Sequence, residues 1–330
     1  MAVSAAAQSR TCDRACLESF VDQYLDALIS HDPRKLSTTK GVKNTEDGVR
    51  LEPGDGFWRT AVAKGSYRLI VADSDAGQVA FLGTMLEGRA PMPKSVIIAF
   101  RLKIENRQLS EIENFVVRNN QAGANLEKLG SPNPAFLATA SQRVSRAELV
   151  SVANMYLSGL EKNDGKRTAP FADDCQRIQN GSQTTNNAPG GGQMTQLVNG
   201  GAGALKQASP TAQINIAAMG CLDQVKLGYF NYIQRIRDRR ILVVDRERGL
   251  VLAIAEMDEP AGQYATFHLA DGREITAGPD YPRTIALFEI YKVEGGQIHR
   301  VEAAQHDIPY GMQSGWSSYE DGMSSRVRTQ

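Results

Sequence analysis

The chain has 330 residues, 42% of them hydrophobic and 22% charged, which is enough apolar side chain for two cores of ordinary size. Lys plus Arg and Asp plus Glu each number 37, so the formal net charge is zero. That balance argues against a nucleic-acid or anionic-membrane partner, since both need a basic surplus. No stretch reaches membrane-spanning length.

The opening MAVSAAAQSR is small and polar with no apolar signal core, as fits a cytoplasmic chain or one whose export signal has been removed. Cys12 and Cys16 lie one helical turn apart, with no CxxC pair to suggest zinc, and are expected as reactive thiols. Apolar residues at helical spacing follow: Leu17, Phe20, Val21, Tyr24, Leu25 and Leu28 predict an amphipathic helix ending at the turn SHDP. His31, at that end beside Asp32, reads as a C-terminal cap. A polar segment, VKNTEDG, comes next, then GDGFW, a turn that presents Phe57 and Trp58. GDGFW lacks the third glycine and the strand–helix setting of a dinucleotide loop. The runs SYRLIVAD, QVAFLGTML and SVIIAFRL predict strands, and KIENRQLSEIE predicts a strand–turn–strand.

After a proline-containing join, GSPNPAFLATAS, the chain repeats itself. Tyr156 follows Tyr24 in register (156 − 24 = 132), CQRIQNG answers VKNTEDG (181 − 48 = 133), and KVEGGQIHRVE answers KIENRQLSEIE (302 − 113 = 189). Order and register are kept three times, and the 56-residue growth in offset (189 − 133) places extra chain inside the second half. Part of it is the Gly-, Ala-, Gln- and Asn-rich stretch 186–213, expected as a lid, binding loop or disordered insertion. Cys175 and Cys221 stand on either side of it, placed for a bridge in an exported chain or for free thiols in a core. RRILVVD, GLVLAIAEM, YATFHLA and TIALFEIYKV predict the second set of strands. Arg237, Arg239 and Arg240 form a basic cluster expected on a solvated face.

Each half is thus a helix, a polar segment and a strand meander, an α+β unit with its helix packed on an antiparallel sheet. The helix with its tyrosine and closing turn (QYLDALISHD, MYLSGLEKND), the NTEDG segment and the last hairpin resemble the nuclear transport factor 2-like superfamily, which includes SnoaL-like and ketosteroid isomerase-like enzymes. The resemblance spans most of both halves and implies two tandem cone-shaped barrels, each wrapping an apolar pocket and paired through the outer faces of their sheets. The domains would run over 12–129 and 145–316, with a linker at 130–144 and a tail at 317–330. Folds of this kind host enzymes, binding domains and oligomerisation modules alike.

The same resemblance implies a tyrosine on the first helix as oxyanion donor and a carboxylate after the following segment as base. Tyr24 matches the first; Glu46 or Asp47 matches the second. On an extended segment, Val42, Asn44 and Glu46 share a face, so an inward Val42 brings Glu46 to the pocket and leaves Asp47 at the turn. The family's third group, a protonated acid on a later strand, falls at Ile98 and is missing. In the second half Tyr156 is retained but Gln179 and Asn180 replace the acids, and an amide cannot abstract a proton. That half holds His268, His299 and His306 instead. His299, Glu302 and His306 do not converge on one face of a strand, which argues against a metal site.

These residues point to a cofactor-independent lyase, isomerase or hydratase acting on a small, largely apolar aromatic or polycyclic molecule. Glu46, Tyr24 and Asp47 would carry the chemistry, and Phe57, Trp58, Tyr156 and His306 would contact substrate. A His base in the second half, or a non-catalytic binding protein, are the alternatives, with an internal pseudo-dimer as monomer or homodimer.

Overall fold

A computed structural model of the chain describes residues 12–89, 91–132, 137–187 and 214–329. Helix α1 (Arg14–Ile29) starts at Asp13, whose carboxylate accepts from the Cys16 amide at 2.9 Å, and it buries Leu17, Phe20, Val21, Tyr24, Leu25 and Leu28. Strands β1 (Thr38–Glu46), β2 (Val49–Arg50), β3 (Ala61–Asp73), β4 (Gln78–Glu87), β5 (Lys94–Glu105) and β6 (Gln108–Val117) form one sheet in the order β2-β1-β6-β5-β4-β3. Helix α2 (Asn120–Leu129) closes this half and packs on β5 and β4.

The second half repeats the plan. Helix α3 (Arg146–Leu160) is capped by Ser145, which accepts from the Glu148 amide at 3.1 Å, with Glu148 placed as in a capping box. Strands β7 (Phe171–Gln179), β8 (Ser182–Gln183), β9 (Arg235–Asp245), β10 (Leu250–Glu259), β13 (Arg283–Glu294) and β14 (Gln297–Ile308) order as β8-β7-β14-β13-β10-β9, strand for strand the same. The short helix α4 (Cys221–Lys226) and a separate hairpin, β11 (Thr266–His268) with β12 (Glu274–Thr276), have no counterpart in the first half. A last turn of helix, α5 (Tyr319–Gly322), lies in the C-terminal segment.

Both sheets are mixed rather than antiparallel. The four-strand meander brings its last strand back beside the first, so β6 runs parallel to β1 and β14 parallel to β7. Strand alternation then sorts the side chains between two cores. Val96, Ile98, Phe100 and Leu102 of β5 face α1, while Ile97 and Ala99 face the other half. Ile285, Leu287 and Tyr291 of β13 face α3, while Ala286, Phe288 and Ile290 face outward to meet the first sheet. The two sheets thereby bury a third apolar cluster between them, with Phe115 and Phe288 at 5.5 Å between ring centroids.

That interface also holds the repeated glutamates. Glu113 accepts from Arg240 of the other half at 2.9 Å and from Arg101 at 3.1 Å; its counterpart Glu302 accepts from Tyr67 across the interface and from Arg300 at 2.6 Å. The basic run on β9 is therefore not a solvated face. Arg237, Arg239 and Arg240 are all 3% exposed or less, because the C-terminal segment covers the β9 edge. The Asp238 amide donates to Ser324 O at 2.8 Å, the Ile241 amide donates to Arg328 O at 2.8 Å, and Arg237 reaches Met312 O and Asp258.

All four cysteines are bridged, Cys12 to Cys16 and Cys175 to Cys221. Cys12 and Cys16 are thus not reactive thiols: Cys12 lies just before α1 and Cys16 in its first turn, with Cα atoms 5.2 Å apart, within disulfide range. Most of the stretch expected as a lid, residues 188–213, lies outside the described residues.

Candidate functional site

In the first half, the sequence-predicted groups come together but are already engaged. Val42 packs toward the core and Glu46 follows on its face, as alternation requires. The Glu46 carboxylate accepts from the Phe57 amide at 2.6 Å and from Arg118 at 2.7 Å. Asp47 occupies the turn at φ 51° and accepts from the Val116 amide at 2.9 Å; burial pushes its carboxyl up to about 7. The Tyr24 hydroxyl donates to Asn114 Oδ1 at 2.7 Å, and burial raises its pKa. Phe57 and Trp58 are 2% exposed and fill the interior, Trp58 edge-on to Tyr24 at 5.5 Å.

The two histidines expected as bases in the second half point elsewhere. His299 pairs with Asp174 at 2.7 Å near the surface. His306 faces the first half, its Nε2 3.5 Å from Asp47 and its ring against Phe115; burial lowers its pKa to about 4. His268 is exposed on the β11–β12 hairpin, 3.7 Å from Glu274.

Among the described residues the structure forms cavities of about 670, 340 and 50 Å³, and none of these three is lined by Tyr24, Phe57 or Trp58. The largest lies between the halves against Arg101, Arg240, Trp316 and Arg328. These cations are matched by carboxylates: buried Arg101 by Glu111 and Glu113, buried Arg240 by Glu113, and half-buried Arg328 by Asp238. Of these pairs, Arg240 with Glu113 is the one that joins the two halves.

The smallest cavity opens inside the second half and has a different character. Leu160, Ile233, Met257, Ile285 and Leu287 supply apolar wall, and Arg177, Glu289, Glu259, Arg283 and Gln305 supply polar groups. Glu289 sits on the inward face of β13 and is 1% exposed. Burial pushes its carboxyl up to about 7, while the Tyr291 hydroxyl, donating at 2.5 Å, and nearby Arg177 oppose the rise. Behind it, the Tyr156 ring packs edge-on to Tyr291 at 5.1 Å. The Tyr156 hydroxyl bears on Glu289 but makes no hydrogen bond of normal geometry, leaving a buried donor unspent.

The repeat shows what has changed between the halves. By the 189-residue offset of the last hairpin, Glu289 answers Phe100 and Tyr291 answers Leu102. By the 133-residue offset of the polar segment, Arg177 answers Asn44. One interior is a packed apolar core around Tyr24; the other carries an acid, a guanidinium and two tyrosines around space. An inward glutamate on a strand otherwise reading Ile, Leu, Tyr was open to the same alternation argument that placed Glu46.

Among the described residues, no group of three His, Cys, Asp or Glu side chains is placed to hold a metal ion. A family of domains of unknown function (DUF8021) matches residues 142–305, the second half with Tyr156, Arg177 and Glu289 included. No curated protein matches the chain.

Proposed function

We propose that the chain is a cofactor-independent acid–base enzyme of the lyase, isomerase or hydratase type, built from two nuclear transport factor 2-like cones, with its chemistry in the second cone. The observation that supports this is Glu289, a buried carboxyl at a cavity wall with its pKa raised to about 7. A carboxyl poised there is ionised often enough to take a proton and protonated often enough to return it near neutrality. Tyr291 already donates to it, and Tyr156 has a hydroxyl to spare for an oxygen on which charge develops. In the first cone, by contrast, Glu46 has its oxygens taken by Arg118 and the Phe57 amide, so that cone reads as structural support.

The substrate fits as a small molecule with an oxygen function. A fused-ring compound exceeds a cavity of about 50 Å³. The reading is tested by following exchange of α-protons into D2O, by NMR, in a panel of small ketones and 2-oxo acids. Wild-type protein accelerates exchange in at least one compound, and Glu289→Gln lowers that rate by roughly 10²–10⁴. Exchange unchanged in Glu289→Gln overturns it. Binding without turnover is a second reading, favoured by the hydrogen bond that already occupies Glu289, and the same experiment separates the two.

A further inference from the structure

Among the described residues, buried arginines come with carboxylates. Arg101 has Glu111 at 2.7 Å, Arg237 has Asp258 at 2.9 Å, Arg239 has Glu161 at 3.2 Å, Arg240 has Glu113 at 2.8 Å and Arg283 has Glu259 at 2.7 Å. Arg177 is the exception. It is 2% exposed, yet among the described residues no carboxylate lies within 4 Å of its guanidinium. Its Nη1 donates to the neutral Gln224 Oε1 at 2.9 Å, its plane lies over Phe230 at 5.0 Å, and its buried Nε has no acceptor. It lines the same cavity as Glu289. Glu289 bears on it only from beyond ion-pair distance; a buried charge with no carboxylate in contact is costly, and a site that keeps one is arranged to receive the opposite charge from outside.

We infer that the second-half cavity takes a small monocarboxylate, with Arg177 as the counter-ion of its carboxylate. The inference rests on reading that cavity as the active site and names its substrate class. The guanidinium fork suits a planar carboxylate. The volume suits a short acid: about 50 Å³, at roughly 10–15 Å³ per water-sized position, holds a carboxylate and two or three carbons. Met257, Ile285 and Leu287 provide apolar wall for that chain. The remaining charged pair in the cavity, Glu259 with Arg283, is closed on itself and on Asp307.

The arrangement carries a pH signature. The groups facing Glu289 are Arg177 from β7, Tyr156 from α3 and Tyr291 from its own strand, and across the cavity stand Glu259, Arg283 and Tyr232. Burial raises Glu289 to about 7; it also raises Glu259, where the ion pair with Arg283 opposes the rise. A bound carboxylate disfavours the charged form of Glu289, so binding takes up a proton once the pH is above about 7.

The test is calorimetric titration of the full-length protein with sodium propionate, against propionamide and sodium chloride at matched ionic strength. Propionate binds and propionamide does not. Propionate affinity is level below about pH 7 and falls about tenfold per pH unit above it, whereas in Glu289→Gln it is level throughout. Arg177→Met lowers affinity at least tenfold; should that variant fail to fold, Arg177→Lys, which keeps the charge and loses the fork, shows a smaller loss. No propionate binding, equal binding of propionamide, or wild-type affinity in both Arg177 variants overturns the inference. Propionate bound through Arg177 in a protein whose proton exchange ignores Glu289 leaves the inference standing and removes the acid–base reading. Glu289-dependent exchange on neutral ketones without propionate binding does the reverse.

Discussion

Glu289 is the residue at which the two halves differ most in physical consequence. Where Phe100 contributes a ring stacked on Phe81 at 4.9 Å, Glu289 contributes a carboxyl that is 1% exposed. Its pKa is raised from the ordinary value of 4.5 to about 7, so the native state holds its proton more tightly than the unfolded chain does. The stability tied to the neutral form is fully present below about pH 4.5 and is lost as pH rises through 7, in total on the order of 3 kcal/mol. Glu289→Gln is neutral at every pH. Urea melts are therefore expected to show the variant more stable than wild type at pH 8, with the difference closing toward pH 5. Asp47, also raised to about 7, is common to both proteins and cancels. This inward glutamate is legible in TIALFEIYKV by alternation; its lack of a cation in ion-pair contact is not, because that depends on which side chains β7 and α3 bring opposite it. Glu46 illustrates the converse. Its face could be read from Val42, but Arg118, 72 residues away in sequence, is what occupies it.

At the scale of elements, the disulfide between Cys175 and Cys221 fastens α4 to β7. Helix α4 carries Gln224, which is 1% exposed and donates to Thr184 O and Ile216 O while accepting from Arg177. The bridge thereby holds the residue that orients the unpaired guanidinium. With a sequence separation of 46, the chain-entropy relation gives about 4 kcal/mol for this bridge, against about 2 kcal/mol for Cys12–Cys16 with a separation of 4. Thiol titration of denatured protein is expected to find no reactive cysteine before reduction and four after. Cys175→Ala with Cys221→Ala is expected to lower the urea midpoint clearly, and Cys12→Ala with Cys16→Ala only slightly. Two reactive thiols before reduction would mean that one bridge is not formed in solution. Spacing made the second pair readable as a candidate bridge. The first is hidden by its spacing: a separation of four reads as a helical turn, whereas Cys12 precedes the helix and its extended approach sets the Cα atoms 5.2 Å apart.

At the scale of the molecule, the repeat serves the interface. The three matched segments were readable from register alone, and from them the α+β unit and its duplication. The burial of β9 was not, since it depends on a C-terminal segment with no periodicity of its own. That segment crosses between the halves: the Trp316 indole N–H donates to Thr45 of the first sheet at 2.9 Å, while Arg328 pairs with Asp238 of the second. Under this clasp, Glu113 neutralises two arginines, Arg101 and Arg240, themselves 2% and 3% exposed. Removing its charge leaves buried cations undercompensated, so Glu113→Gln is expected to cost roughly 3–5 kcal/mol.

The more telling measurement is cooperativity. The outer face of each sheet presents an apolar cluster, with Leu250, Leu252, Ile254, Phe288 and Ile290 on one side and Tyr67, Leu69, Leu82 and Ile97 on the other. Neither face can meet water without leaving a large exposed patch, so neither half is complete alone. Calorimetry of the whole chain is therefore expected to show one unfolding transition, with Glu113→Gln shifting all of it rather than splitting it. The second half expressed alone as residues 142–316 is expected to self-associate through the uncovered sheet, and adding the first half, residues 12–129, should return a one-to-one complex on size exclusion. Two separate transitions in the whole chain, or a stable monomeric second half, would show that the sheets lie against each other without depending on it.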